Sequence, residues 1–394
     1  MKSLKDITVA GKNVLIRVDF NVPLADEDGE KRITDDTRIR YVVPTLQYLI
    51  DQQAKVIVCS HLGRPKGAPD PAFSLKPAAV RLGELLAKPV TITEDCVGGD
   101  VRATIEKMQP GDVVVLENLR FHPGEGKNDD DFAASLGALC EVYVNDAFAV
   151  SHRSNASVDA ITRHVTECAA GFLLEKEIAT FQKAMENPER PLAALVGGAK
   201  VSSKLGAFYN MIEVVDSLLI GGAMANTFLK AKGMDVGISK TEDDLLEEAA
   251  KILEKAAARN VALELPVDVI VAEKIDEQAA TSTVPVDRIP AGHMALDIGP
   301  ETCRQFSDIL KNARTVVWNG PMGIFEMPLF AEGTKAMASA LAQSSAFTVV
   351  GGGDTVSAVH MAEVADKMSY ISTGGGAFLE LMEGKTLPGV AALG

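Results

Sequence analysis

Short and nearly continuous apolar runs, rich in β-branched residues, recur along the chain. They lie at residues 13–20, 54–60, 112–118, 142–146, 192–198, 217–223, 315–321, 347–353 and 369–375. Runs of this kind are typical of strands that are buried on both faces of a sheet. Amphipathic segments with helical spacing separate many of them. This alternation predicts an α/β fold with parallel sheets and right-handed crossovers.

The clearest helical segment covers residues 241–260, TEDDLLEEAAKILEKAAARN. One apolar stripe with helical spacing contains Leu245, Leu246, Ala249, Ile252, Leu253 and Ala256. Such a stripe predicts a surface helix with one buried face. Thr241 and Asp244 have the spacing of a capping box, which predicts that the helix begins there.

The chain has 394 residues, which is too long for one ordinary core and suits two domains. Residues 173–190 form an amphipathic pattern that ends at Asn187 and Pro188. Helices commonly stop at such a pair, so this segment predicts an interdomain helix after a first domain of residues 1–172. The fold class expected is two doubly wound parallel-sheet (Rossmann-like) domains facing a cleft and joined by this helix.

Charge and cysteine usage narrow the classes of function. The formal net charge of −15 argues against nucleic acid or an anionic membrane as a partner, since both require a basic face. The five cysteines are scattered and include no Cys-x-x-Cys pair, which favours free thiols in a reducing cytoplasm. Neither an export signal nor an apolar run long enough to cross a bilayer is apparent.

Polar residues follow most of the apolar runs, at the position where open parallel sheets bind ligands. In the first half they include Asp19, Asn21, His61, Arg64, Asn118, Arg120, Asn145 and Asp146, and Arg38, His152 and Arg153 lie in other polar stretches. Guanidinium groups bind phosphate and carboxylate through two oxygens at once. A surface ion pair is the more common role of a single arginine, but four in such stretches of one half favour an anion site. The roles of His61 and His152 stay open between a ligand-site donor and a structural one; His122, His164, His293 and His360 are interpreted as structural.

Three glycine clusters mark the second half, at residues 197–204, 351–355 and 372–377. Glycine after a strand lets the backbone approach a ligand, and the N-terminus of the next helix offers free amides to phosphate. The Walker pattern and the G-x-G-x-x-G dinucleotide pattern are both absent. The contrast between arginine-rich and glycine- and lysine-rich halves indicates two different anionic ligands, one on each domain.

Ten motifs occur in one order along the whole chain: RVDFNVPL, DDTRIR, SHLGRP, ENLRFHPGE, NDAF, SHRSNAS, GGAKVSSK, WNGPMGIFE, GGGDT and STGGGAFLE. In this order and spacing the sequence resembles the phosphoglycerate kinase family. The resemblance implies a monomeric glycolytic and gluconeogenic enzyme that moves a phosphoryl group between ATP and 3-phosphoglycerate, giving ADP and 1,3-bisphosphoglycerate. Met322 departs from the family pattern, in which a small residue usually stands at this position.

The resemblance also implies a role for each motif residue. The residues expected to bind 3-phosphoglycerate are Asp19, Phe20, Asn21, Arg38, His61, Leu62, Gly63, Arg64, Arg120 and Arg153. Those expected to bind Mg-ATP, in a domain of residues 191–376, are Lys204, Glu326, Gly352, Gly353, Asp354 and Thr355. Among these, Asp354 would reach Mg²⁺ and Glu326 the ribose. Catalysis would involve Arg38, Lys200, Lys204 and Gly375, with the amides of residues 374–376 facing the transferring group. Residues 377–394 would return to the first domain.

The residue types agree with this chemistry. A carboxylate nucleophile is ionised at neutral pH and needs no general base. Transfer instead requires alignment and neutralisation of charge on the phosphoryl oxygens, which Mg²⁺, lysine, arginine and helix amides supply. Because the two ligand sets fall on different domains, a hinge closure is expected when both substrates bind.

Two other classes of protein remain as alternatives. A non-catalytic two-domain sugar-phosphate-binding protein would need the arginine set, but not Lys200, Lys204, Glu326 and Asp354 together. An NAD-dependent dehydrogenase is disfavoured because its fingerprint is missing.

Overall fold

The computed structural model describes residues 1–27 and 30–394. The chain forms two compact units, each with its own sheet. The first unit comprises Met1–Ile178 and Thr386–Gly394, and the second comprises Ala179–Lys385.

Strands alternate with helices along most of the described residues; β1 to β3 and β11 to β14 follow one another without an α-helix between them. The strands are β1 (Asn13–Arg17), β2 (Leu24–Glu27), β3 (Glu30–Ile33), β4 (Lys55–Cys59), β5 (Val90–Ile92), β6 (Val113–Val115), β7 (Val142–Asn145), β8 (Glu167–Ala170), β9 (Leu192–Val196), β10 (Ser217–Ile220), β11 (Ala262–Glu264), β12 (Asp268–Ala272), β13 (Ser282–Pro285), β14 (Met294–Ile298), β15 (Thr315–Asn319), β16 (Phe347–Gly351) and β17 (Tyr370–Ile371). All nine apolar runs contain a strand.

The helices fill the segments between these strands. They are α1 (Thr37–Asp51), α2 (Lys76–Leu86), α3 (Gly99–Glu106), α4 (Pro123–Gly126), α5 (Asp130–Gly137), α6 (Phe172–Phe181), α7 (Leu205–Val214), α8 (Gly222–Ala231), α9 (Leu246–Ala258), α10 (Pro300–Asn312), α11 (Glu332–Ala342), α12 (Gly353–Met361), α13 (Gly375–Met382) and α14 (Pro388–Ala391). A π-helical segment, Gln182–Glu186, extends α6 and ends at Asn187.

The first unit is built on a six-stranded parallel sheet in the order β5-β6-β4-β1-β7-β8. The central strand β1 buries all its residues except the first, and Ile16 and Val144 are fully buried in the same core as Leu46 of α1. The sheet order reverses direction next to β1, because β4 and β7 lie on opposite sides of it. Such a reversal is where open α/β sheets bind ligands.

The second unit has a six-stranded parallel sheet in the order β11-β10-β9-β15-β16-β17. Trp318, the single tryptophan of the chain, is fully buried on β15. An antiparallel sheet, β13-β12-β14, also belongs to this unit. With one parallel sheet in each unit, the expected doubly wound α/β fold class is confirmed.

Several elements differ from the sequence expectations. The β2-β3 hairpin and the strands β5, β8, β11 and β13 were not predicted, because they are short or partly exposed and so lack long apolar runs. Strands β12 and β14 of the antiparallel sheet are mostly buried and were also not predicted. The prediction that a capping box of Thr241 and Asp244 begins the helix was wrong. Thr241 Oγ1 donates to Asp243 Oδ1 at 2.7 Å, and a 3-10 turn, Asp243–Leu245, precedes α9. The predicted stripe is correct at Ala249, Ile252 and Ala256, which are buried.

The C-terminal residues divide between the two units. Helix α13 stays with the second unit, where Asn210 Nδ2 donates to the carbonyl of Met382 at 2.8 Å. The segment that belongs to the first unit begins at Thr386, later than the position 377 expected from the sequence. Gly389 ties it there through a hydrogen bond of its amide to the Ser151 carbonyl at 2.9 Å. None of the helices in the described part of the chain is long and apolar enough to span a bilayer.

Candidate active site

The loop after β1 and the first turn of α1 bring an acidic and a basic side chain together. Asp19 is nearly buried and accepts from the amide of Asn21 at 3.0 Å. Its other carboxylate oxygen pairs with the guanidinium of Arg38 at 2.5 Å. The Arg38 side chain keeps 40% of its surface exposed, so it is oriented by Asp19 while remaining open to a ligand.

The loop after β4 is fixed to these residues through its backbone. The Gly63 amide donates to Asn21 Oδ1 at 2.9 Å, and the Gly63 carbonyl accepts from Arg120 Nη1 at 2.7 Å. Asn118 Nδ2 donates to the carbonyl of Leu62 at 2.8 Å. Gly63 has a φ of 60°, and a Cβ there would lie 2.3 Å from the ring of Phe73. Only glycine therefore fits at this turn.

A cavity of about 700 Å³ opens beside this loop. It is lined by Arg64, Pro65, Lys66, Gly67, Arg120, His122, Pro123, Gly126, Arg153, Ser154 and Asn155. The structure thus brings together Arg64, Arg120 and Arg153, which are far apart in the sequence. Burial, with the nearby charges of Arg17 and Arg153, lowers the pKa of Arg120 to about 10, so that it stays protonated at neutral pH. A cavity with four cationic side chains suits a multiply charged anion.

Three residues predicted at this site lie in its buried wall. Phe20 and Leu62 have exposed fractions of 0% and 4%, and both pack in the core, so they shape the site from behind and do not offer a side chain to a ligand. His61 is 3% exposed. Burial, followed by the charges of Arg17, Arg120, Arg38 and Arg153, holds the pKa of His61 well below its ordinary value.

In the second unit, three loops meet backbone to backbone. Gly198, Gly222 and Gly320 have φ values of 107°, 67° and 104°, and a Cβ on Gly197 would lie 2.1 Å from the Pro321 carbonyl oxygen. These glycines allow the backbones of the loops after β9, β10 and β15 to approach closely, and the Met322 side chain lies against Gly197 and Gly221.

Lys204 lies against this junction. Its Nζ donates to the carbonyls of Gly197 at 2.8 Å and Asn319 at 2.7 Å. Burial lowers the pKa of Lys204 to about 7, against the opposing charge of Asp354. Lys200, in the same motif, is exposed.

Two helix N-termini of the second unit carry all of the other predicted residues except Glu326. Helix α12 begins after Gly352, which has a φ of 94°, and its Thr355 Oγ1 accepts from the Gly320 amide at 2.6 Å. Asp354 is exposed in the first turn of this helix. Helix α13 begins at Gly375, after a turn in which the Gly374 amide donates to Ser372 Oγ at 3.1 Å. Glu326 is exposed in the loop that follows β15. Helix N-termini with free amides suit phosphate groups.

Sequence reasoning missed part of this arrangement. Lys66 and His122 line the cavity, and neither was expected to bind a ligand. Arg17 is buried at the end of β1, beside His61. A charged residue that ends the apolar run NVLIR was the available signal for Arg17.

Two parallel α/β units, one with an arginine-lined cavity and the other with glycine loops and helix N-termini, define a two-domain protein for anionic, phosphate-bearing ligands. The family model described as phosphoglycerate kinase matches residues 4–385. The chain belongs to the phosphoglycerate kinase family. It is therefore an enzyme that transfers a phosphoryl group between ATP and the carboxylate of phosphoglycerate, and the expected resemblance is confirmed.

Similar proteins agree over the whole length. The phosphoglycerate kinase of Desulfosudis oleivorans is 68% identical over 393 residues, covering 100% of this chain and 98% of that protein. That of Desulforapulum autotrophicum is 57% identical and covers 100% of both. The solved structure of phosphoglycerate kinase from Coxiella burnetii matches with a TM-score of 0.90 at 41% identity, covering 99% of this chain and 98% of that one. The structure from Pyrococcus horikoshii matches with a TM-score of 0.84 at 34% identity, covering 100% and 98%.

Proposed function

We propose that the first unit binds 3-phosphoglycerate and the second binds Mg-ATP, and that the protein works as a monomer in the cytoplasm. The observation that carries the first assignment is the arginine-lined cavity, which adjoins the Asp19–Arg38 pair through the Gly63 loop. Arg64, Arg120 and Arg153 would bind the phosphate group of the substrate. The non-catalytic sugar-phosphate-binding alternative is not favoured.

Arg38 is proposed as the residue that neutralises charge as the phosphoryl group transfers. Its ion pair with Asp19 orients a guanidinium that is still partly exposed. The substrate carboxylate is ionised at neutral pH, so this chain needs no side chain to remove a proton. Asp19 would orient Arg38, and Asn21 would fix the loop at Gly63.

In the second unit, Lys204, Gly352, Gly353 and Thr355 are proposed to contact the nucleotide phosphates, with Glu326 at the ribose. Lys200 and the amides at the start of α13, including Gly375, would face the transferring phosphoryl group. Asp354 fits a magnesium ligand, because an exposed carboxylate in the first turn of α12 supplies the one carboxylate that nucleotide-bound Mg²⁺ commonly takes from a protein. When bound, the ion would offset the negative charge of the phosphates.

Asp354→Asn tests the division of ligands between the units. The change keeps the side-chain shape but removes the charge that Mg²⁺ prefers, so Mg-ATP affinity should fall by roughly tenfold or more. Affinity for 3-phosphoglycerate alone should be unchanged, and both are measured by isothermal titration calorimetry. Asp366→Asn, an equal charge change at an exposed position of the same unit, is the control. Loss of both ligands in Asp354→Asn would contradict the assignment.

Arg38→Ala tests the catalytic role in the first unit. If Arg38 acts mainly on charge that develops during transfer, kcat should fall by roughly 10³-fold or more, as for arginine fingers. Affinity for 3-phosphoglycerate should fall much less. A near-normal kcat with a raised KM would reduce Arg38 to a ground-state binding residue.

A further inference from the structure

A chain of four buried polar side chains lies behind the proposed phosphoglycerate site. Glu125 accepts from Ser157 Oγ at 2.7 Å, and Ser157 Oγ accepts from Arg17 Nε at 2.9 Å. Arg17 Nη2 lies 3.2 Å from Nδ1 of His61. The exposed fractions of Glu125, Ser157, Arg17 and His61 are 1%, 0%, 1% and 3%, so water has little access to these groups and their hydrogen bonds to one another determine their orientation.

The hydrogen bond between Arg17 and His61 can have only one direction. A guanidinium group donates hydrogen bonds and cannot accept them. His61 Nδ1 must therefore be the acceptor, without a hydrogen of its own. The competing neighbour is Asp19 Oδ1, an acceptor that would favour a hydrogen on Nδ1, but it lies 3.9 Å away and is beyond hydrogen-bond distance.

The surroundings also disfavour the doubly protonated ring. An imidazolium would carry hydrogens on both nitrogens and would direct one of them at the guanidinium of Arg17. Burial is the largest contribution that lowers the pKa of His61, and the charges of Arg17, Arg120, Arg38 and Arg153 act in the same direction. Asp19 is the facing carboxylate that opposes them.

We propose that Arg17 is a positioning residue that fixes His61 as the neutral tautomer with its hydrogen on Nε2. His61 then has one ring nitrogen left for a ligand, and it is a donor. A neutral N–H donor adds a hydrogen bond to an anionic oxygen without adding another charge beside the arginines. This inference deepens the proposed function and rests on it, since it assigns 3-phosphoglycerate as the acceptor.

The tautomer can be observed directly in the full-length protein. The chain has six histidines, and ¹⁵N labelling with a His61→Gln variant for assignment identifies the His61 signals. Between about pH 6 and pH 8, where an ordinary histidine titrates, Nδ1 should keep a pyridine-type shift and Nε2 a pyrrole-type shift. An imidazolium signal, or the hydrogen on Nδ1, would overturn the proposal.

Removing Arg17 tests its part in fixing the tautomer. The double variant Arg17→Met with Glu125→Gln removes a buried cation and a buried anion together, which avoids leaving either charge unpaired. Without the donor, His61 should shift towards the tautomer with its hydrogen on Nδ1, facing Asp19. A tautomer that stays unchanged would show that Arg17 does not fix it.

A matched pair of substitutions at His61 tests the same idea without touching the buried charges. The side-chain amide nitrogen of glutamine can take the place of Nε2, whereas that of asparagine is nearer the place of Nδ1. Affinity for 3-phosphoglycerate should stay within a few-fold of the parent in His61→Gln and fall by roughly tenfold in His61→Asn. Equal losses in both would overturn the donor role.

The role of Arg17 and the location of the 3-phosphoglycerate site would be contradicted by different results. If the nitrogen shifts show the expected tautomer but both His61 variants bind 3-phosphoglycerate like the parent, Arg17 still fixes the ring and His61 is removed from the proposed site. If Arg64→Ala, Arg153→Ala and both His61 variants all leave 3-phosphoglycerate binding intact, the proposed site itself fails, because Arg64 and Arg153 line the cavity assigned to the substrate phosphate. Mg-ATP affinity, expected to be unchanged in all of these variants, controls for loss of fold.

Discussion

Lys204 stabilises the glycine-rich loops and also has a pKa near neutral pH. Two backbone carbonyls of the glycine-rich loops accept from its Nζ, and burial lowers its pKa to about 7. A lysine in this state is only partly charged at neutral pH. The arrival of a polyanion would favour its charged form and raise the pKa again.

Nucleotide binding should therefore take up a proton at Lys204. At about pH 8 the free enzyme holds this lysine mostly neutral, so uptake should be large; at about pH 6 the lysine is already protonated and uptake should be small. Calorimetric titrations of ATP in two buffers with different ionisation enthalpies measure the number of protons.

The substitution Lys204→Arg supplies the control for this proton uptake. Arginine stays charged at both pH values, so the difference between them should disappear. Equal uptake at both pH values in the parent protein would contradict the lowered pKa.

At the scale of elements, two amides in the first turn of helix α6 donate to a buried carboxylate. Oδ1 of Asp146 accepts from the amides of Leu173 and Leu174 at 2.8 and 3.1 Å. Burial raises the pKa of Asp146 to about 7, against the opposing contributions of the Thr45 hydroxyl and these two amides. The close approach of Gly171, where a Cβ would lie 2.3 Å from this carboxyl group, excludes any larger residue beside it.

Asp146→Asn should change how stability depends on pH. The pKa is about 7 in the folded state against 3.8 for the ordinary group, so the folded state binds more protons between these values. Its contribution to stability is present at low pH and is lost as pH rises through about 7. Asparagine stays neutral and can still accept from both amides. Relative to the parent, the variant should therefore be more stable at about pH 8 than at about pH 5.

Urea unfolding followed by far-ultraviolet circular dichroism at both pH values measures this difference. Asp131→Asn, at an exposed position of helix α5, is the control and should show no such change with pH. The same stability difference at both pH values in Asp146→Asn would mean that this carboxyl group does not titrate in that range.

The elements also differ in how readily the sequence indicates them. Strands such as β9 and β15 are fully buried, and their continuous apolar runs predict them directly. Strands β5 and β13 are partly exposed and short, and they depend on pairing with β6 and β12. Pairing partners lie elsewhere in the chain, so a local pattern does not contain them.

At the scale of the whole molecule, the chain leaves the first unit and returns to it. The returning segment, Thr386–Gly394, is fixed by the amide of Gly389 on Ser151 and by Asn145 Nδ2, which donates to the Gly389 carbonyl at 3.1 Å. A Cβ at Gly389 would lie 2.4 Å from Val158 Cγ1 and 3.1 Å from the Cα of Ser151. The last residues are thus packed as part of the core region of the first unit.

Gly389→Ala should destabilise the first unit by about 1–3 kcal/mol, the usual cost of overpacking. Each unit has its own core, so the transition of the second unit should change little. Fluorescence of Trp318 follows the second unit alone, while circular dichroism follows both.

The comparison variant is Gly99→Ala, in the first unit and with no atom within 4 Å of the new Cβ. Gly99→Ala should leave the unfolding transitions of both units unchanged. Equal behaviour of Gly389→Ala and Gly99→Ala would show that the returning segment is not closely packed.

The sequence by itself determined the alternation of strands and helices, the halves that carry arginine and glycine, and the family. These follow from local burial and residue type, which periodicity and motifs report directly. Only the tertiary structure decided the sheet orders, the meeting of Arg64, Arg120 and Arg153 around one cavity, and the contact of Arg17 with His61. The lowered pKa of Lys204 and the raised pKa of Asp146 also arise only in the folded structure, because burial causes both. Desolvation and proximity depend on residues far apart in the chain, and these become neighbours only when it folds.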